Sequence, residues 1–185
     1  TAETVSALHH SAGSQAPIAV FFSSFAYAEA VARDVAAAAL QPRRSDLSAQ
    51  NAWINDNLDA GRALFLVLGS GFAEGIDLLG GRVSHAMVVG PALPEVNPVQ
   101  RARMATFAPL GRDAAFDRVY RIPGMQKVNQ ALGRLVRAPG QAARVLLHCR
   151  RFAEPGYERL LGPEYQSGRR ILDEDDLAAW LGSGP

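Results

Sequence analysis

ALFLVLGSGFAEGID, residues 63–77, is the stretch that decides the fold. Ala63 to Leu68 is apolar without alternation, as a strand buried on both faces must be, and Gly69, Gly71 and Gly75 then turn it into a loop. Such a strand needs helices on both sides of its sheet. The flanking segments supply them. Upstream, Pro17–Phe22 (PIAVFF) repeats the short apolar pattern, and the Ala-rich Ser24–Leu40 reads as a helix with Ser23 or Ser24 as its N-cap. Asp46–Asp59 reads as a second helix, stopped by Gly61. Downstream, His85–Val89 (HAMVV) and Arg144–His148 (RVLLH) are two more strands. Residues 98–108 and Met125–Arg137 have helical character between them, and Asp173–Leu181 closes the chain as a helix. Strands alternating with helices predict an α/β fold, a mainly parallel sheet between two helix layers, with ligands at the carboxyl ends of the strands. Residues 1–185 read as one domain, with 1–16 and 173–185 peripheral.

The composition, 48% hydrophobic and 20% charged, excludes a disordered, collagen-like or coiled-coil chain. No apolar run approaches the ~20 residues of a membrane span. Cys149 is the only cysteine, so the chain holds no internal disulfide and no Cys-rich zinc or iron–sulfur site. Residues 1–13 lack the basic start and apolar core of a signal peptide. The leading Thr1 suggests a piece of a longer protein. Of the 19 basic residues 18 are arginine; the lone Lys127 sits between Gln126 and Val128, so no G-x-x-x-x-G-K-[ST] phosphate loop exists. Charge is uneven. Residues 1–100 carry 5 basic and 9 acidic residues, net −4; residues 101–172 carry 14 and 5, net +9; residues 173–185 add four acids, net −4. The basic stretch suits a polyanion, or is an arginine-rich solvated surface.

Three segments carry chemistry. In the helix around Gln130, the residues Gln130, Arg134 and Arg137 stand at i, i+4 and i+7 and share one stripe, while Val128, Leu132, Leu135 and Val136 lie opposite. Gly133 beside that stripe lets a ligand approach the backbone, and two planar guanidiniums suit bidentate phosphate contacts. An ordinary solvent-facing stripe has the same pattern. In the loop Gly69–Asp77 a dinucleotide fingerprint fails, because Glu74 stands where a glycine is needed. Its backbone N–H groups still suit phosphate. Glu74 and Asp77 would orient an arginine, a sugar hydroxyl or a metal-bound water, or are two solvated acids of a tight turn. In Phe21-Phe22-Ser23-Ser24-Phe25 the hydroxyls fall where a strand gives way to a helix, as anion contacts or as plain N-caps.

Together these segments resemble the second motor domain of superfamily 2 helicases of the DinG/XPD-like type. The family pattern is F-F-x-S-[YF] after the first strand, G-x-x-x-E-G-I-D after a central strand, and Q-x-x-G-R-x-x-R on a helix, then a strand and an R-F pair. Here the matching segments are Phe21–Phe25, Gly71–Asp77, Gln130–Arg137 and Arg151-Phe152, in the same order across roughly residues 17–165. The resemblance implies a RecA-like (P-loop NTPase type) three-layer sandwich lacking its own Walker motifs. Those belong to a first RecA-like domain of the same parent chain, which in many members carries an iron–sulfur cluster. ATP and Mg²⁺ are then held mainly by that domain, in a cleft between the two. By the same resemblance Arg134 and Arg137 are arginine fingers, which are worth about 10³–10⁵ in rate. Gln130 helps sense the nucleotide beside Gly133. Glu74, Gly75 and Asp77 couple the nucleotide site to the nucleic-acid track, and Ser23, Ser24, Ser70 and Gly71 contact single-stranded DNA. The expected parent is an ATP-dependent DNA helicase of DNA repair, in a bacterial-type cytoplasm at the nucleoid. The chain by itself is expected to be monomeric, bound to no membrane, and unable to hydrolyse ATP.

Two departures bear on activity. Where the family often has acidic residues after the second arginine, this chain has Ala138-Pro139-Gly140-Gln141-Ala142-Ala143, and where it usually has D-x-R-F, this chain has His148-Cys149-Arg150-Arg151-Phe152. They support an alternative reading, a non-catalytic nucleic-acid-binding or scaffold domain that kept the fold. A third reading, a stand-alone nucleotide-binding domain using the glycine loop, is opposed by Glu74. Other clusters read as structural. His9 and His10 point about 100° apart on a helix, His148 and Cys149 face opposite sides of a strand, and Asp173–Asp176 complements a helix dipole. Trp53 and Trp180 fit core positions.

Overall fold

A computed structural model describes residues 1–13, 15–70, 72, 75–136 and 138–183. In chain order the elements are α1 (Ala2–Ala12), β1 (Ile18–Phe22), α2 (Phe25–Ala32), β2 (Ala38–Leu40), α3 (Leu47–Asp59), β3 (Ala63–Val67), β4 (His85–Val89), α4 (Pro98–Phe107), α5 (Arg112–Phe116), α6 (Ile122–Leu132), β5 (Arg144–Leu147), α7 (Pro155–Glu158) and α8 (Glu174–Gly182). The strands form one sheet in the order β2-β3-β1-β4-β5, and every pairing is parallel.

β1, β3 and β4 are buried at every residue, so successive side chains fill two separate cores. Ala19, Phe21, Leu64, Leu66 and Val88 pack on one side against Ile54 and Leu58 of α3 and Met125, Val128 and Leu132 of α6. Val20, Phe22, Phe65 and Met87 pack on the other against Val5 and Leu8 of α1 and Ala28 and Val31 of α2, with Leu177 and Trp180 of α8 beside them. The result is the three-layer sandwich that the resemblance implies. Each fully buried Phe or Leu contributes about 1.5–3 kcal/mol. α8 is tied down by the guanidinium of Arg144, which donates to the carbonyls of Trp180 and Ser183 and stacks 4.3 Å over the Trp180 ring. This neutralises the carbonyl end of the helix with a cation.

Three expectations change. The helix expected over Ser24–Leu40 ends at Ala32, and Ala38–Leu40 is instead the edge strand β2, paired with Ala63–Phe65. Alanine's helix preference yields there to ladder pairing, with Val35 turned into the core. The segment read as peripheral at the start of the chain is α1, whose Val5 and Leu8 are fully buried. The helix expected over Met125–Arg137 begins at Ile122 and stops at Leu132. Beyond it Arg134 N donates to Ala131 O and Leu135 N to Leu132 O, so the chain tightens into turns. Leu135 then drops into the core while its carbonyl accepts from Gly81 N.

Candidate functional site

The expected site residues fall into two groups, set apart by α6. The first lies at the carboxyl ends of β1 and β3. β1 and β3 run in register from Ile18↔Ala63 to Phe22↔Val67, and Leu68 N donates to Phe22 O, so Ser23 leaves β1 beside Leu68. Ser23 and Ser24 are both exposed. Ser24 is the N-cap of α2, its hydroxyl accepting from Tyr27 N at 3.3 Å. Ser70 is held from an unexpected side. Gln41, just past β2, is 2% exposed. Its Nε2 donates to the Ser70 hydroxyl at 3.0 Å and its Oε1 accepts from Val67 N at 2.7 Å. Gln41 therefore fixes the start of the β3 loop. Its role was hidden in the sequence because the residues before it read as helix; the only signal was a polar residue followed by Pro42.

The second group lies further down the face covered by α6. α6 starts over the carboxyl edge, where Gly124 packs on Ala92 and Leu93 just past β4. It ends near the amino edge, where Leu135 meets Gly81 and Arg144 N donates to Ser84 O. Gln130 is exposed on its outer side. Gly133 caps its end with ordinary right-handed backbone, φ −64°, so its torsion does not call for glycine. Arg134 stands in the turn beyond and forms an ion pair with Asp77. Asp77 belongs to a short 3₁₀ turn, Gly75–Leu79. The guanidinium is 34% exposed and the carboxylate 49%. The i, i+4, i+7 stripe is thus not helical as expected: Gln130 is on α6 and Arg134 is past its end. Gly71, Glu74 and Arg137 lie outside the described residues.

The β3 loop is the physical link between the groups. At one end Ser70 is anchored by Gln41; at the other Asp77 holds Arg134. Phe72 between them is buried and meets the Trp53 ring edge-on at 5.5 Å. An anion can be met at the exposed hydroxyls of the carboxyl edge, and a second by the guanidinium beside Asp77.

The other clusters are structural. His9 Nε2 lies 2.9 Å from Gly61 O. His148 Nε2 lies 3.1 Å from the Thr1 hydroxyl, and burial lowers its pKa. His85 is buried, Nδ1 2.9 Å from the Ser84 hydroxyl; burial first, and the charge of Arg144 second, push its pKa down. Asp173 caps α8 by accepting from Asp176 N. Among the described residues no helix is long and apolar enough to cross a membrane.

Comparison with known proteins gives a consistent picture. A family model described as the helicase C-terminal domain matches residues 8–167. No curated protein matches the sequence. Among solved structures, an XPD helicase is similar at 19% identity and TM-score 0.70, with 86% of this chain covering 29% of that one. An apo XPD structure is similar at 19% identity and TM-score 0.70, covering 86% and 33%. S. tokodaii Xpd4 is similar at 16% identity and TM-score 0.58, covering 89% and 33%. The chain spans about a third of the length of these structures.

Proposed function

The chain belongs to the helicase C-terminal domain family and has the RecA-like fold of the XPD structures, and from that premise we propose that it is the second motor domain of an ATP-dependent DNA helicase. In this reading Arg134 and Arg137 reach across an interdomain cleft to the γ-phosphate of an ATP held, with Mg²⁺, by a preceding domain. Gln130 and Gly133 line the same cleft. Ser23, Ser24, Ser70 and Gly71 follow the phosphates of a single strand of DNA along the carboxyl edge. The β3 loop, with Glu74, Gly75 and Asp77, carries the state of one site to the other.

The observation that supports this best is the Asp77–Arg134 ion pair at the far end of the loop that Gln41 anchors at Ser70. The segment held at Ser70 by Gln41 and at Asp77 by Arg134 joins the two sites by a short covalent path, which supports coupling between them. The stretch 101–172, net +9, adds the charge that a phosphate backbone requires. ATP hydrolysis tests the reading. The full-length parent hydrolyses ATP faster with single-stranded DNA present, and the chain alone does not hydrolyse it for want of a phosphate loop. A parent that is inactive or indifferent to DNA favours instead a scaffold domain, for which the non-acidic Ala138–Ala143 stretch and His148–Phe152 are the observations in support.

A further inference from the structure

The carboxyl edge also holds an ammonium group. Lys127, the only lysine of the chain, leaves α6 and lays its stem against Gly69, two residues past β3. A Cβ built on Gly69 would stand 2.9 Å from Cε, 3.0 Å from Cδ and 3.1 Å from Nζ. Gly69 has φ +74°, the left-handed region, so the position both requires glycine for its torsion and leaves room for the lysine stem. Lys127 is half-buried and has no carboxylate partner among the described residues. The ammonium is therefore brought to an exposed glycine beside the Ser70 hydroxyl, on the edge where Ser23 and Ser24 are also exposed, with its charge unspent.

We propose that Lys127 is a phosphate ligand of the single-stranded nucleic-acid track, meeting the phosphodiester backbone where it crosses the end of β3. The inference rests on the reading of this edge as the track. An ammonium on a flexible stem is a compact point charge that follows one phosphate oxygen without fixed bidentate geometry, which suits a strand that must slide. Nucleotide phosphates have the same chemistry. Of the residues assigned to the nucleotide, Gln130 stands about one turn along on the exposed side of α6 and Arg134 about two turns along. Lys127 instead reaches Gly69 beside Ser70, and that placement favours the nucleic acid as the source of the phosphate.

The test is fluorescence anisotropy of a labelled oligothymidylate with the full-length parent, without nucleotide, over a series of salt concentrations. Wild type, Lys127→Gln and Lys127→Arg are compared. Loss of one phosphate contact to a single strand lowers the slope of log K against log salt by about 0.7. Lys127→Gln is expected to show that loss together with weaker binding at low salt, and Lys127→Arg to restore both. A Lys127→Gln slope equal to wild type overturns the inference, as does failure of Lys127→Arg to restore it. An unchanged slope with a raised KM for ATP assigns the lysine to the nucleotide and overturns it too. Wild-type protein that binds the oligonucleotide with no salt dependence defeats the reading of the edge itself, a result distinct from normal wild-type binding with an unaltered Lys127→Gln slope.

Discussion

Gln41 is an amide 2% exposed whose oxygen is the acceptor for Val67 N and whose nitrogen holds Ser70. Truncation leaves a buried backbone N–H without its partner, and such groups cost about 1–3 kcal/mol. Gln41→Ala is therefore expected to destabilise the chain by that amount in urea unfolding, and to weaken DNA-stimulated hydrolysis in the parent. An unchanged midpoint would show that water replaces the amide. Asp77 has a different signature. Its pair with Arg134 is half-solvated, and exposed pairs contribute little to stability. Asp77→Asn should leave the melting temperature nearly unmoved while lowering kcat for ATP hydrolysis about tenfold, an effect of about 1.4 kcal/mol on the barrier. A kcat equal to wild type would remove the positioning role of Asp77.

At the scale of elements, α1 and α6 are instructive for opposite reasons. α1 was illegible as part of the core because its stripe is only Val5 and Leu8 among small and polar residues, yet both are fully buried. Leu8→Ala is expected to lose about 2–5 kcal/mol of stability, as large-to-small core changes do; a loss below ~0.5 kcal/mol would mean that α1 docks loosely. The burial of α6 was partly readable, since Val128 and Leu132 are buried, as is Leu135 past its end, whereas Val136 is exposed. Its end was not. A period of 3.6 continues on paper through Arg137, whereas Gly133 and the carbonyl contact from Leu135 to Gly81 end it at Leu132. β2 was missed because three alanine-rich residues carry no strand signal of their own; the partner β3 makes them a strand. The helical character of residues 98–108 was readable as α4, although α4 buries none of its residues and so shows no apolar stripe. The three central strands were plain, because continuous apolar runs between glycines have few other meanings. Of the candidate site, the motif residues were named by resemblance alone. Gln41 and the separation of the residues into two groups were not, since both depend on which strand ends lie side by side.

For the whole molecule, buried His85 and half-buried His148 set a pH limit. The pKa of His85 is lowered in the folded chain, chiefly by burial, and that of His148 likewise. Below the ordinary histidine value of about 6.5, the unfolded chain binds protons that the folded chain resists, so stability falls as pH drops through that value and levels off beneath the lowered folded pKa. Thermal melts at pH 5 should lie below those at pH 7.5, and His85→Gln should reduce the difference; a pH-independent melt would contradict the lowered pKa of the two rings. The two-group arrangement makes a larger claim, that this domain lends arginines to a nucleotide held elsewhere while its carboxyl edge follows DNA. The most direct measurement is the DNA-stimulated ATP hydrolysis rate of the full-length parent, comparing wild type with Arg134→Ala and Arg137→Ala. Loss of a finger predicts a fall of about 10³ or more in kcat for each variant. Variants that hydrolyse ATP at the wild-type rate would contradict the account and leave the chain a scaffold with a motor's fold.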